Sequence, residues 1–501
     1  MTDKNNLPKQ LSLFNLNSTN IEDLATPKGY KGIAAFHKYW GKKPIECLSF
    51  LIESLTTEND IILDPFLGSG LVARESISRN RRFIGIDINP ISVELAKMLI
   101  DLPSHLHLRE ILSSFEENIK PKIEATYALD DGNIASHYLW EEEKLKSVWT
   151  IPKGDRKREE RIPTEYDYYL IEQFQNYQPK IPREINLFQN SRINTKDNFK
   201  LTDLLTCRAL HNIDILLEAI NQQDNELKKA LLLSLTSASG QMSKMVFAIT
   251  GRGKNKNQPT KKIEVGSWVI GYWRPTLHFE INVWNCFERR VKKLIKAIDE
   301  IDDINTSNLS GKLIDVVNYK ANVAIVEGDN RKVLSECPDE IISLIVADPP
   351  HSDRIPYLEL SEMWNSLIGK KPNFSDEIVI SNAVIRGKDR KTYIKEMGIF
   401  FDNTARILKP GGILALFFNS KDREIWNFLN QIILSSTEIN FRGYFPMKYS
   451  SNSVLQNNRT GSLKHDFVLI YQKSGKRSSE FFQSLIVIPG WRSEFPNYAD
   501  N

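Results

Sequence analysis

Two apolar runs in this chain end in the same abrupt way, and that shared ending constrains the fold more than any other feature. In residues 342–351, ISLIVADPPH, five apolar residues in six precede Asp348, Pro349 and Pro350. In residues 59–70, NDIILDPFLGSG, a similar run precedes Asp64, Pro65 and then two glycines. Proline cannot donate to a strand ladder, so each run reads as a buried strand that stops at its acid. Each aspartate therefore stands at the C-terminal mouth of a strand.

The surroundings of both runs alternate between strand and helix patterns. HKYWGKKP leads into an apolar-periodic helix over Ile45 to Leu55, LVARESIS gives a second helix, RRFIGIDINP a second strand and ISVELAKMLI a third helix. That is a βαβ unit with short connections. Alternation resumes with strands in ANVAIVEGDN, IISLIVADPP, KPGGILALFFN and HDFVLIYQK, separated by a helix or turn in NRKVLSECPDE and helices in YIKEMGIFFDNTARIL and EIWNFLNQIIL. Between the two halves the pattern dissolves into amphipathic helical stretches, clearest in LLTCRALHNIDILLEAI, and polar segments containing proline. The expected architecture is α/β: a Rossmann-like doubly wound sheet interrupted by a large, mainly helical insertion over 101–320. Residues 1–30 read as an irregular N-terminal arm and 474–501 as a C-terminal appendage.

Composition narrows the setting. At 41% hydrophobic and 26% charged the chain has the balance of a globular protein. It has no apolar run near the roughly 18 residues of a membrane span, and MTDKNNLPKQ lacks a signal-peptide core, so a cytoplasmic location is expected. Lys plus Arg number 66 against 63 for Asp plus Glu, which leaves only local charge as a guide to partners. GRGKNKNQPTKK (251–262) and ERRVKKLIK (288–296) are candidate phosphate contacts, with a solvated loop and an exposed helix face as the plainer alternatives. Four scattered cysteines without CxxC and eight histidines without ligand-like pairing support neither a disulfide framework nor a metal site.

Gly68, Gly70 and Ala73 satisfy the pattern G-x-G-x-x-G/A, and Asp87 follows at the distance where an acid can accept from ribose hydroxyls. A plain tight βα turn would carry the same glycines. Asp64 distinguishes this loop, because an ionised carboxylate only accepts hydrogen bonds and is unwelcome beside a pyrophosphate. S-adenosylmethionine carries a sulfonium and an ammonium and no phosphate, so charge favours it over a nicotinamide dinucleotide.

DPFLGSG (64–70), with FHKYWGKKP (36–44) upstream and ADPPH (347–351) downstream, resembles the S-adenosylmethionine-dependent amino-methyltransferases that modify adenine N6 or cytosine N4 in DNA. The resemblance covers residues 36–100 and about 321–473, and it implies a methyltransferase catalytic domain over 31–100 and 321–473. It also implies that Lys43 and Pro44 pack over the methionine end of the cofactor. Asp64, Pro65, Phe66, Gly68, Ser69 and Gly70 would cradle it, Asp87 would hold the ribose, and Asp329 would lie near the adenine.

The catalytic loop implied by the resemblance is Asp348, Pro349, Pro350 and His351. An exocyclic base amine is a poor nucleophile because its lone pair is delocalised into the ring. Asp348 can accept one N–H and the Pro349 carbonyl another, which aims the lone pair at the methyl. Pro350 restricts Pro349 to an extended conformation that projects this carbonyl. The family usually has Tyr, Phe or Trp in the fourth position, stacking on a base flipped from the duplex. Here it is His351, which offers less surface, with Tyr357 or Trp364 as other candidate faces.

The motif order resembles the α group, whose insertion houses target recognition, so 101–320 is the expected DNA-binding region and Arg252, Lys254, Lys256, Lys261 and Lys262 its candidate contacts. Asp-Pro-Pro leans toward adenine N6. The expected activity is site-specific DNA methylation in restriction-modification or phage defence, with double-stranded DNA as partner, a cognate restriction endonuclease as a second candidate, and no membrane or metal. N4-cytosine transfer, guanine-N2 transfer in RNA and a non-catalytic DNA-binding subunit stay open. C5-cytosine chemistry is excluded, because no cysteine follows a proline.

Overall fold

The computed structural model describes residues 29–151, 158–179, 185, 187–251, 263–301, 308–351, 355–420, 423–435, 438–448 and 465–474. Its strands are β1 (Ile61–Asp64), β2 (Arg82–Asp87), β3 (Ala135–Glu141), β4 (Lys144–Thr150), β5 (Glu159–Arg161), β6 (Val246–Ile249) and β7 (Glu264–Trp268). They continue as β8 (Leu277–Ile281), β9 (Leu309–Ser310), β10 (Val323–Glu327), β11 (Ile342–Ala347), β12 (Leu408–Phe418), β13 (Ile439–Lys448) and β14 (His465–Lys473).

Eight strands form a sheet in the order β13-β14-β12-β11-β1-β2-β10-β9. From β12 to β9 every pair is parallel, while β14 runs antiparallel to both β12 and β13. After β1 the chain builds toward β2 and β10, and it later returns to lay β11 on the other side of β1. Strand order therefore reverses between β1 and β11, and a crevice opens at such a point beyond the strands' carboxyl ends, where ligands bind in open α/β sheets.

Both faces of this sheet are covered, which is why its strands are apolar throughout rather than alternating. Ile62, Phe83, Val323 and Leu344 belong to one buried cluster, and their neighbours Ile61, Leu63, Ile84, Ala324 and Ile345 to the other. Among the helices, α1 (Ile45–Leu55), α2 (Leu71–Ile77) and α3 (Pro90–Ile100) fall where the apolar periodicity predicts.

The middle of the chain holds more helix than strand, as expected, but adds a sheet that the sequence did not suggest. Alongside α4 (Cys207–Asn221), α5 (Asn225–Met242) and α6 (Val283–Asp299) it holds a six-stranded antiparallel sheet, β5-β4-β3-β8-β6-β7. Its hairpin β3–β4 turns through Glu142 at φ 54° and Glu143, without the Gly, Asn or Asp that usually marks such a turn. This region shares its core with one face of the large sheet, since Leu210, Ile213, Trp284 and Phe287 join the same cluster as Ile62. Two hydrogen bonds tie α5 to the segment before α1: Thr236 Oγ1 lies 3.0 Å from His37 Nε2, and Ser237 Oγ donates to the Phe36 carbonyl at 3.0 Å. On ERRVKKLIK, Lys292 pairs with Glu116 and Glu288 along the exposed side of α6.

Candidate active site

A cavity of about 960 Å³, its open mouth included, lies at the carboxyl edge of the parallel strands. Four strand ends supply acids to its wall: Asp64 closes β1, Asp87 closes β2, Asp329 follows β10 and Asp348 follows β11. Lys43, Pro65, Phe66, Gly68, Ser69 and Pro350 line it as well, so most of the residues singled out in the sequence converge there. Pro44, Gly70, Pro349 and His351 are not among the lining residues. Arg252, Lys254, Lys256, Lys261 and Lys262 lie outside the described residues.

The first loop is shaped by its glycines. Gly68 at φ 52° lets its N–H reach Asp87 Oδ2 at 2.7 Å, and Asn89 N–H donates to Asp87 Oδ1 at 2.8 Å. Gly70, at φ 77°, begins α2 so close to α3 that a Cβ would stand 2.6 Å from the Ala96 Cα. Only glycine satisfies both demands. Asp64 Oδ1 accepts from the Phe66 N–H at 3.0 Å.

The two acids beside this loop sit in surroundings that disfavour their charge, Asp64 buried and Asp87 half-buried. Burial raises the Asp64 carboxyl well above the ordinary carboxylate range, and the neighbouring charges of Asp348 and Asp87 push the same way against the Phe66 N–H. Asp87 is raised to about 6, again by burial, against the backbone N–H groups of Asn89 and Gly68. A carboxylate so placed gains from any cation or hydroxyl donor that enters the cavity.

Asp329 is already engaged. It caps α7 (Asn330–Ser335) and takes a two-point grip from Arg331, Nε to Oδ1 at 2.8 Å and a terminal nitrogen to Oδ2 at 3.0 Å. The next residue, Asn330, donates to the Pro65 carbonyl at 2.9 Å and ties this edge to the glycine loop.

The second loop stands on different supports. Tyr393 OH, on α9 (Arg390–Ile407), donates to the Pro350 carbonyl at 2.8 Å. Lys43 Nζ lies 2.9 Å from Asp348 Oδ1 and 2.9 Å from Asp466 Oδ2. His351 sits behind the wall, 8% exposed, with Nε2 3.1 Å from the Phe417 carbonyl and 3.3 Å from Asp348 Oδ1, and Nδ1 3.5 Å from Asp466 Oδ1. Its ring packs on Phe418, so the stacking face expected of His351 is not presented to the cavity.

The other candidate faces separate as well. Trp364, on α8 (Tyr357–Leu367), is buried and stacked on Trp40 at 4.6 Å, whereas Tyr357 lines the cavity beside Tyr39. Sequence reasoning missed Asp466, Tyr39 and Asn330. Tyr39 stood within the quoted HKYWGKKP, and Asn330 within EGDN, but Asp466 is the second residue of an apolar strand, near the end where an acid ordinarily meets solvent. Among the described residues, no group of three or more His, Cys, Asp or Glu is placed to hold a metal, and no helix is long and apolar enough to cross a membrane.

Comparison with known proteins bears on the N-terminal part. Residues 5–98 match the family model described as DNA methylase. The DNA adenine methyltransferase YhdJ of Escherichia coli K12 is 34% identical over 70 residues, which is 14% of this chain and 24% of that protein. The type II methyltransferase M.HpaI of Haemophilus parainfluenzae is 42% identical over 60 residues, 12% of this chain and 19% of its own. A probable type III restriction-modification enzyme of Haemophilus influenzae, the HindVI Mod subunit, is 43% identical over 65 residues, 12% of this chain and 9% of its own. The chain thus spans a quarter or less of the length of these curated relatives. Residues 5–98, which carry the glycine loop and both of its acids, are similar to the DNA methylase family model and to short stretches of these methyltransferases.

Proposed function

We propose that this protein transfers a methyl group from S-adenosylmethionine to the exocyclic amine of a base in DNA, adenine N6 in the first place. The observation that carries this reading is the convergence of Asp64, Asp87 and Asp348 on one cavity at the β1/β11 reversal. The catalytic domain is the Rossmann-like doubly wound sheet with its helices, 31–100 and 321–473. Residues 101–320 serve target recognition, with Arg252, Lys254, Lys256, Lys261 and Lys262 on DNA phosphates.

The donor set fits the cofactor. Asp64, buried, and Asp87, half-buried, are acids held by backbone N–H groups, so a ligand that brings positive charge and hydroxyl donors improves both. Gly68 and Gly70 let the backbone approach it, and Lys43, Pro44, Pro65, Phe66, Ser69 and Asp329 complete the surroundings. When bound, S-adenosylmethionine supplies an electrophilic methyl group.

The chain's own residues then act on the acceptor. Asp348, with one oxygen held by Lys43, accepts an amine N–H, and the Pro349 carbonyl accepts the other. The loop is stiff by composition and is fixed through the Pro350 carbonyl by Tyr393. Tyr357 offers the planar face on which a flipped base stacks, a contact worth about 1–3 kcal/mol. The amine gains the methyl and releases one proton.

Mass spectrometry of nucleosides tests the reading, using DNA from a host without base methylation that expresses the chain. N6-methyladenine is the expected product, and N4-methylcytosine would keep the enzyme and change the base. With soluble protein present, absence of both would overturn the proposal. A type III Mod subunit among the relatives supports a setting in restriction-modification, with a restriction endonuclease as partner.

A further inference from the structure

Asp466 is the second residue of β14, in register with Met447 on β13, and its side chain is 1% exposed. A carboxylate so deeply buried persists only where cations and hydrogen bonds compensate it. Among the described residues, Lys43 and His351 stand against it, and both also touch Asp348. Lys43 Nζ stands 2.9 Å from each carboxylate, and the His351 ring spans the same pair, Nε2 at 3.3 Å from Asp348 and Nδ1 at 3.5 Å from Asp466.

The Phe417 carbonyl, 3.1 Å from Nε2, can only accept, so Nε2 carries a hydrogen and the ring's orientation is fixed. The four groups close a ring in which Asp348 is reached by two independent arms from one anchor. With a hydrogen on each nitrogen the ring is an imidazolium, which can face two carboxylates at once as a phenyl or phenol ring cannot. The departure at position 351 from the family's usual aromatic residue therefore has a structural use.

We propose that Asp466 is a positioning residue: through Lys43 and His351 it fixes the Asp348 carboxylate in the orientation that receives the target amine. This rests on the reading of Asp348 as the amine acceptor given above. It makes the site dependent on the last strand of the sheet, because the loop after β11 is anchored across β12 on β14.

The test compares full-length wild type with Asp466→Asn, Lys43→Gln and the double variant. Asp466→Asn is expected to lower kcat about 10²-fold, the cost of misplacing a reacting group by an ångström, while KM for DNA and the dissociation constant of S-adenosylmethionine stay within about threefold. The double variant removes anion and cation together, so it regains thermal stability but not kcat. Wild-type kcat in Asp466→Asn, or kcat returning with stability in the double variant, would overturn the proposal. A parallel loss of kcat, KM and cofactor affinity in Asp466→Asn would do the same.

The ¹⁵N shifts of the His351 ring report the brace without any turnover. They move in Asp466→Asn if the four groups are joined and stay in place if they are not. A wild-type protein that methylates no base refutes the reading of Asp348, while the nitrogen shifts still decide the brace.

Discussion

Two pairs of acids serve this crevice, Asp64 and Asp87 in its wall and Asp348 in the wall with Asp466 behind it, and they are held by opposite means. Asp64 and Asp87 are kept by backbone N–H groups, and burial lifts both out of the ordinary carboxylate range. Asp348 and Asp466 share one ammonium, and both stand within 3.5 Å of one imidazole ring. The first pair is compensated only when something cationic or hydroxyl-bearing arrives, which suits a binding site. The second is compensated within the fold, which suits a group whose geometry must be set before reaction.

The largest effect separates these roles. Asp348→Ala should lower single-turnover methyl transfer at least about 10²-fold, as loss of a preorganised partner of a reacting group does. Its affinity for S-adenosylmethionine, measured by calorimetry, should stay near wild type. If affinity fell as steeply as turnover, the two pairs would be one unit and the contrast between them would be wrong.

Asp64→Asn comes next and acts in two directions. Cofactor affinity should fall roughly tenfold to hundredfold, the loss of a hydrogen bond to a charged group. The free protein should gain stability instead. An aspartate ionises near pH 3.9 in the unfolded chain and well above that here, so its contribution is fully present below about pH 4 and is lost as pH rises through the folded value. Asparagine lacks that loss. Thermal midpoints should therefore favour the variant by a margin that grows as pH rises above about 4, and a constant margin would refute the assignment.

Gly70→Ala should be smaller in free energy but structural in kind. The left-handed backbone alone costs a non-glycine residue about 1–2 kcal/mol, and the new Cβ would press on the Ala96 Cα at 2.6 Å. Chemical denaturation should show destabilisation of at least that size, together with weaker cofactor binding, because α2 and α3 must part. Stability unchanged from wild type would mean that the loop does not need this close approach.

The two pairs also differ in how legible they were. Asp64, Asp87 and Asp348 announce themselves because each follows a short apolar run and meets Pro, Gly or Asn, which are local signals. Asp466 has no such signal. It is 423 residues from its partner Lys43, and nothing in HDFVLIYQK tells a buried acid from a solvated strand end. The same limit hid β13, whose Gly443 and Pro446 argue against a central strand but are tolerated where it lies, at the edge of the sheet. His351 was read as a ring for stacking because sequence neighbours give residue type, whereas the burial that turns it into a link between acids is tertiary.

The smallest effect divides the first pair itself. The Asp87 carboxyl is raised to about 6 in the free protein, so below that pH a ligand that needs its carboxylate must displace a proton, and the share of affinity owed to Asp87 should rise with pH and level above about pH 6. Asp64 adds a second proton under the same rule, because its carboxyl is also raised. The two differ in what each is assigned: Asp87 the ribose hydroxyls, Asp64 the positive charge. S-adenosylhomocysteine keeps the hydroxyls and loses the sulfonium, so it should retain the Asp87 step and release fewer protons overall. Calorimetry in buffers of different ionisation enthalpy counts those protons directly. Equal release by both ligands would mean that Asp64 does not answer the sulfonium and would leave it only the ammonium, which both ligands carry.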